Sequence, residues 1–256
     1  MDFTINIYSK LLDALRREGY AFQTFSDFIQ NPSAKTIVLR HDVDLLPYNS
    51  LRFAKIQSQL EIKGTYYFRA VPESWDEKVI SEIAALGHEV GYHYETMDTA
   101  NGNLDEAWSQ FCFHLGELRK LTTVSSICMH GSPRSKFDNR RIWEKYDYKT
   151  LELVAEPYFD VDFSSVFYLT DTGRRWDGYK VSVRDKIPMH QERWNAQGLA
   201  FHSTEEIIGK ADSLPNQIMF TFHPQRWHDS FYLLTREMLV QRIKNMVKFL
   251  LINIKK

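Results

Sequence analysis

The stretch Thr36-Ile-Val-Leu-Arg-His-Asp-Val-Asp44 decides the fold of this 256-residue chain. Residues 36–39 are apolar or β-branched, a composition typical of a buried strand. Asp42 and Asp44 follow directly, and side chains two positions apart in an extended segment point to the same side. The stretch therefore predicts a buried strand with two carboxylates at its carboxyl end.

Outside this stretch, segments with helical and strand-like patterns alternate along the chain. The apolar spacing predicts helices at about 4–18, 49–61, 104–121 and 235–252, and strands near 65–68, 88–93, 125–130, 167–170 and 218–222. Ser74 and Glu77 have the spacing of a capping box, which predicts a further helix start. This alternation is typical of parallel strands joined by helical crossovers. Because the sequence has no linker-like stretch or repeat, we expect residues 1–256 to form a single α/β domain.

Composition and charge narrow the class of protein. Hydrophobic residues make up 43% of the chain, enough for a sizeable core, and 32 basic against 33 acidic residues give a formal net charge of −1. This balance argues against nucleic acid as a partner. The N-terminal residues lack the pattern of a signal peptide, and the longest plain apolar run, 249–252, is too short to span a membrane. With only two cysteines and no C-x-x-C pair, the sequence predicts a cytoplasmic protein without a transmembrane segment.

Polar side chains follow several of the predicted strands. Besides the two aspartates, His93 and Glu95 end one strand, His130 ends another and His223 follows a third. In parallel α/β folds the carboxyl ends of the strands converge on one face, where chemistry collects. Oxygen and imidazole ligands together suit zinc or a similar first-row metal. These residues therefore indicate a metal site.

The aspartate pair is consistent with two other interpretations. A D-x-D pair is common in turns, so the acids could cap a turn or pair with Arg40. The histidines at the other strand ends favour a metal site instead. The dipeptide His41-Asp42 also occurs in helical HD-type phosphohydrolases, but those enzymes need ligands on helices. Here the dipeptide follows a β-branched strand run, which argues against that class.

Four motifs occur together and in order: Arg40–Asp44, Gly87–His93, Met129–Gly131 and Phe222–Pro224. The ordered set resembles the NodB-homology polysaccharide deacetylases, carbohydrate esterase family 4. It is most similar to a divergent branch found in bacterial surface-polysaccharide loci such as those for O-antigen. The resemblance implies an irregular parallel (β/α) barrel that removes an N-acyl group from an amino sugar.

The resemblance also implies roles for single residues. By matched position, Asp42 is the general base and Asp44 a metal ligand. His93 matches the first metal-binding histidine, and His223 matches the late histidine that acts as general acid. The implied metal is a divalent ion, zinc first, with cobalt or nickel as alternatives.

The chain departs from the family pattern at Met97, where a second metal-binding histidine is expected. A thioether is a poor ligand for a hard or borderline divalent ion. His130, at another strand end, is the favoured substitute. Glu95, on the same side of the strand as His93, comes second.

Five residues are predicted to contact a substrate: Glu95, Arg174, Trp176, Arg226 and Trp227. Each tryptophan has an arginine beside it and could stack on a sugar ring or lie near a phosphate. Covering the rim of the barrel is an equally good interpretation of the two indoles.

Three functions are consistent with these patterns. The first is a metal-dependent hydrolase that deacylates an amino sugar, with a nucleotide- or lipid-linked sugar as a candidate substrate. The second is a catalytically degenerate barrel that binds a glycan or a partner protein, for which Met97 is the main argument. The third is a metal enzyme that carries out another amide reaction on a sugar. The sequence leaves the oligomeric state open.

Overall fold

A computed structural model describes residues 2–131, 135–176, 188–230, 232–237 and 239–240. In these residues seven strands form one sheet: β1 (Ala21–Gln23), β2 (Thr36–Val43), β3 (Thr65–Phe68), β4 (Glu89–Tyr94), β5 (Ile127–Met129), β6 (Phe167–Thr170) and β7 (Gln217–Phe222). Every pairing between these strands is parallel.

The sheet runs in the order β5-β4-β3-β2-β7-β6, and β1 pairs with the first half of β2. It curls into a half-barrel with helices on the outside. This architecture confirms the predicted α/β fold with parallel strands. That the chain forms a single domain over residues 1–256 stays a prediction.

The described helices are α1 (Ile5–Arg17), α2 (Phe25–Gln30), α3 (Pro47–Gln59), α4 (Glu77–Ala85), α5 (Thr96–Thr99), α6 (Leu104–Arg119), α7 (Pro157–Asp160), α8 (Pro188–Ala196) and α9 (Thr204–Gly209). The predicted helices at 4–18, 49–61 and 104–121 are confirmed within a few residues. Most of the helix predicted at 235–252 lies outside the described residues. None of the described helices has an apolar stretch as long as a bilayer crossing requires.

The predicted capping box at the start of α4 is wrong. The N-cap is Asp76, whose side chain accepts a hydrogen bond from the Val79 backbone N–H at 3.0 Å. The Ser74 hydroxyl instead accepts from the Arg69 backbone N–H and donates to the Val43 carbonyl. Ser74 therefore ties the loop after β3 to the end of β2, and the spacing alone did not distinguish this bond from a cap.

The central strand β2 is longer than the apolar run that predicted it. All eight of its residues are buried, including Arg40 and His41. The His41 ring meets the Gln57 amide and the Tyr8 hydroxyl at one nitrogen and the Thr65 carbonyl at the other. Burial lowers the pKa of His41 to about 3, so the ring is neutral. The buried His41 ring is thus hydrogen-bonded at both nitrogens within the core. Strand β2 carries Asp44 out at the centre of the sheet.

Candidate metal centre

The first residue after each of the strands β2 to β7 is polar. In chain order these residues are Asp44, Arg69, Glu95, His130, Asp171 and His223. Because all six strands are parallel and adjacent, these residues emerge at the same end of the sheet. Of the six, Arg69 and Asp171 were assigned no role from the sequence.

Asp44, His93 and His130 form the centre of this end of the sheet. The Oδ1 atom of Asp44 lies 3.7 Å from His93 Nε2 and 3.7 Å from His130 Nε2. One potential ligand atom from each residue lies within 4.8 Å of the other two. These distances are short enough for the three residues to share one metal ion.

The donor set fits a divalent cation. Zinc bonds of about 2.0–2.1 Å in a tetrahedral site place ligand atoms roughly 3.3 Å apart, close to the observed 3.7 Å. Asp44 Oδ2 accepts a hydrogen bond from the Gln225 side chain, but Oδ1 is buried and has no hydrogen-bond partner among the described residues. Leaving a buried carboxylate oxygen unpaired is costly, and a bound cation would satisfy it.

Hydrogen bonds orient both imidazole rings for ligation. His93 Nδ1 lies 2.9 Å from the Cys128 carbonyl oxygen, and His130 Nδ1 lies 2.7 Å from Glu95 Oε2. Since both partners are acceptors, Nδ1 carries the proton in each ring and the lone pair of Nε2 points towards Asp44. Burial, followed by the neighbouring His130, lowers the pKa of His93 well below its ordinary value. His93 is therefore in the neutral form that binds metals.

Asp42 lies beside this centre in a different environment. Its carboxylate accepts two hydrogen bonds from Arg40, at 2.8 and 2.6 Å, in a buried ion pair. This is the pairing with Arg40 that the sequence left open, and it applies to Asp42 alone. Asp42 Oδ2 is also 3.8 Å from His93 Nε2, and Cys128 completes a second group of possible ligands. The two aspartates are thus separated in role, one paired with a guanidinium and one facing the imidazoles.

Asp171 is one of two strand-end residues to which the sequence assigns no role, and the structure pairs it with His223. His223 Nδ1 donates to Asp171 Oδ1 at 2.5 Å, and the His223 backbone N–H donates to Oδ2 at 2.9 Å. Trp227 Nε1 and Arg226 Nη1 also donate to this carboxylate. The sequence does contain a signal for Asp171, because this residue directly follows the predicted strand at 167–170, as the other polar residues follow their strands.

The charge balance around His223 differs from that around His93. Burial and Arg226 both disfavour the imidazolium, but Asp171 and the nearby Asp44 outweigh them and raise the pKa of His223. Asp44 also interacts electrostatically with His130, His223 and His93, which together hold its pKa below the ordinary value even though burial opposes this. His223 therefore belongs to the same site as the proposed ligands.

The expectation that Trp176 and Trp227 stack on a sugar ring is corrected by their burial. Their exposed fractions are 3% and 0%, and both pack in an aromatic cluster with Phe222. Trp176 Nε1 donates to the Thr204 hydroxyl, and Trp227 Nε1 donates to Asp171. A ring packed on both faces offers no surface to a ligand, so these indoles support the site from within the core.

The other predicted substrate contacts have partners inside the protein. Arg174 donates to the Arg226 carbonyl at 2.8 Å and lies over the Phe3 ring. Arg226 donates to Asp171, as noted above. Glu95 is bonded to Arg69 and His130; burial opposes its ionisation, but these two partners lower its pKa to about 2. A contact of these three side chains with a substrate stays a prediction.

Comparison with known proteins gives structural similarity alone. No family model matches the chain, and no curated protein matches it. Among solved structures, the chain is similar to a CE4 family pseudoenzyme from Bacillus anthracis at 14% identity and a TM-score of 0.44, over 84% of this chain and 63% of that one. The chain therefore spans less than two thirds of that protein.

Two esterases are also similar. For a family 4 carbohydrate esterase from Bacillus anthracis the identity is 13% and the TM-score 0.42, over 97% of this chain and 91% of the other. For a CE4 esterase from Streptococcus mutans the values are 13% and 0.44, over 91% and 90%. Structures described as esterases and as a pseudoenzyme thus both occur among those similar to this chain.

Proposed function

We propose that this chain is a metal-dependent hydrolase that removes an N-acyl group from an amino sugar of a surface polysaccharide or of its precursor. The observation that carries the proposal is the buried Oδ1 atom of Asp44, which has no hydrogen-bond partner in the described part of the chain and lies 3.7 Å from Nε2 of both His93 and His130. The ordered motifs described above support a sugar amide as the substrate. Zinc is the proposed metal, with cobalt or nickel as alternatives.

In this proposal Asp44, His93 and His130 hold the divalent ion, which when bound supplies a Lewis acid for the substrate carbonyl and lowers the pKa of a water. Asp42 then acts as general base. A carboxylate has about four lone-pair positions, and the two hydrogen bonds from Arg40 use two of them. Oδ2, the oxygen nearer His93, keeps the capacity to accept a proton from an attacking water.

His223 is the proposed general acid. Its Nδ1 is engaged by Asp171, so Nε2 is the nitrogen that can protonate the departing amine. Its raised pKa keeps a useful fraction of the ring protonated near neutral pH. The buried Asp171 holds the ring in this orientation and favours its charged form, without itself touching the substrate.

The second candidate function, a barrel without catalysis, depends on Met97. The Met97 side chain is fully buried in the main hydrophobic cluster, and its thioether is a poor ligand for a borderline divalent ion. His130 supplies a third donor instead, and the Asp171–His223 pair has no evident use in a protein that only binds glycan. We therefore favour the hydrolase. A different amide reaction on a sugar would use the same groups. Measuring the release of acetate or formate distinguishes it from hydrolysis.

Metal analysis of purified protein tests the proposal directly. We expect about one zinc, cobalt or nickel ion per chain, and its loss in Asp44→Ala. The control Asp13→Ala, which removes a carboxylate from the exposed face of helix α1, should retain the ion. Release of acetate or formate from N-acyl amino sugars then identifies the reaction. Wild-type protein that binds no metal at micromolar concentrations and releases no acid would overturn the proposal.

A cytoplasmic location and a nucleotide- or lipid-linked sugar complete the proposal. Assays with free, nucleotide-linked and lipid-linked N-acyl amino sugars rank these substrates by kcat/KM. Cell fractionation with an antibody against the protein tests the location.

A further inference from the structure

The metal ligand His130 is held by an ion pair that reaches across neighbouring strands. His130 Nδ1 donates to Glu95 Oε2 at 2.7 Å. Arg69 donates to the same carboxylate three times, to Oε1 from Nε and Nη2 at 3.1 and 2.8 Å and to Oε2 from Nη2 at 2.9 Å. Its remaining nitrogen, Nη1, donates to the Asp44 backbone carbonyl at 3.2 Å. The chain of contacts therefore begins and ends on proposed metal ligands.

These contacts follow the order of the sheet. Asp44, Arg69, Glu95 and His130 are the first residues after β2, β3, β4 and β5, which are consecutive in the sheet. One guanidinium and one carboxylate thus connect the ends of four parallel strands. The relative position of Asp44 and His130 is set by this link as well as by the strand register.

The ion pair is shielded from water. The side chains of Arg69, Glu95 and His130 are 20%, 12% and 16% exposed. Charge-assisted, multiply bonded pairs in such surroundings are stronger and more directional than exposed ones. Because Arg69 occupies both oxygens of Glu95, the carboxylate is directed to His130 Nδ1 and away from direct ligation of a metal.

We infer that Arg69 and Glu95 are positioning residues that make His130 a metal ligand where position 97 supplies none. Glu95 fixes the proton on Nδ1 and the lone pair on Nε2, and Arg69 keeps Glu95 in place. This inference rests on the proposed metal-binding function. The position where the family pattern expects a ligand is a buried methionine in this chain. The inference explains how three donors nevertheless lie within reach of one ion.

The test is the affinity for cobalt(II), measured by competition with a chromophoric chelator, together with the visible spectrum of the bound ion. We expect Glu95→Gln to weaken cobalt binding about 10- to 100-fold and to change the spectrum, since outer partners of ligating histidines have effects of this size. Arg69→Met, which keeps the aliphatic stem, should act in the same direction. The control is Glu82→Gln, which removes another ion-paired carboxylate, partnered by Lys55 on an exposed surface, and should change neither quantity.

A double-mutant cycle separates positioning from general support of the fold. If Glu95 acts through His130, adding Glu95→Gln to His130→Ala should cause no further loss of cobalt affinity. A purely structural role of Glu95 would make the two losses additive. Thermal unfolding of each variant shows whether it folds. If Glu95→Gln does not fold, the same cycle is measured with Arg69→Met in its place, alone and combined with His130→Ala.

The outcomes distinguish the inference from the proposed function. Wild-type affinity and spectrum in Glu95→Gln or Arg69→Met, or additive losses in the cycle, would overturn the inference and leave the proposed metal site standing. Wild-type protein that binds neither cobalt nor zinc would overturn the proposed function itself.

Discussion

His93 and His223 are buried histidines at the same end of one sheet, and their surroundings give them opposite charge preferences. Burial and the neighbouring His130 lower the pKa of His93, whose Nδ1 bonds only an uncharged backbone carbonyl. His223 bonds the buried carboxylate of Asp171, and its pKa is raised. The imidazole is the same, but one neighbourhood favours a neutral ligand and the other a proton donor. The partner of Nδ1 therefore distinguishes the proposed metal ligand from the proposed general acid.

Replacing each histidine by alanine should have the largest effects and should separate the two proposed roles. His93→Ala removes a proposed ligand, so we expect loss of the bound metal and of all hydrolytic activity. His223→Ala removes only the acid, so the metal should remain while kcat falls about 10²- to 10⁴-fold. Metal content and kcat are measured on the same preparations, with His114→Ala on helix α6 as the control. Equal metal loss in both variants would contradict the separate roles.

Asp171→Asn should make the surroundings of His223 resemble those of His93, because it replaces a charged partner of Nδ1 by an uncharged one. The reactive form of His223 is protonated, so activity falls as pH rises through its pKa. That pKa lies above the usual value of about 6.5. Without the Asp171 charge the pKa drops, and the alkaline limb of kcat/KM should move to lower pH while the metal content stays unchanged. An unmoved alkaline limb would exclude His223 as the acid.

The same pair links stability to pH. Because the pKa of His223 is raised on folding, its contribution to the free energy of unfolding is fully present below about pH 6.5. That contribution is lost as pH rises through the folded-state value. Thermal unfolding of wild-type protein and Asp171→Asn at several pH values should show the difference between them shrinking as pH increases.

Trp227→Phe should have the smallest effect of the four substitutions predicted to change the site. The ring stays apolar and buried, but the carboxylate of Asp171 loses the Nε1–H donor. We expect a loss of about 1–3 kcal/mol in the free energy of unfolding, the usual range when a buried polar group loses a partner. Bound metal should be unchanged, and kcat should fall less than in His223→Ala. A larger loss of kcat than in His223→Ala would give Trp227 a direct role that its burial argues against.

Local patterns in the sequence predicted the parts of the site that depend on strand direction. An apolar run followed by Asp44, His93, His130 or His223 is visible along the chain, and parallel strands bring such residues to one end of the sheet. Trp176 and Trp227 were misjudged because neighbouring arginines suggest exposure. Packing buries both indoles, that of Trp176 against Phe3 and β7 and that of Trp227 against α1 and β7.

The sequence by itself determined the alternation of strands and helices and the polar residues that end the strands, because periodicity and chain order are local properties. Only the tertiary structure decided which partner each side chain has. It paired Asp42 with Arg40, Asp171 with His223, and Glu95 with Arg69 and His130. All of these pairs except Arg40–Asp42 join residues far apart in the sequence. Their geometry depends on sheet order and burial, which spacing along the chain does not encode.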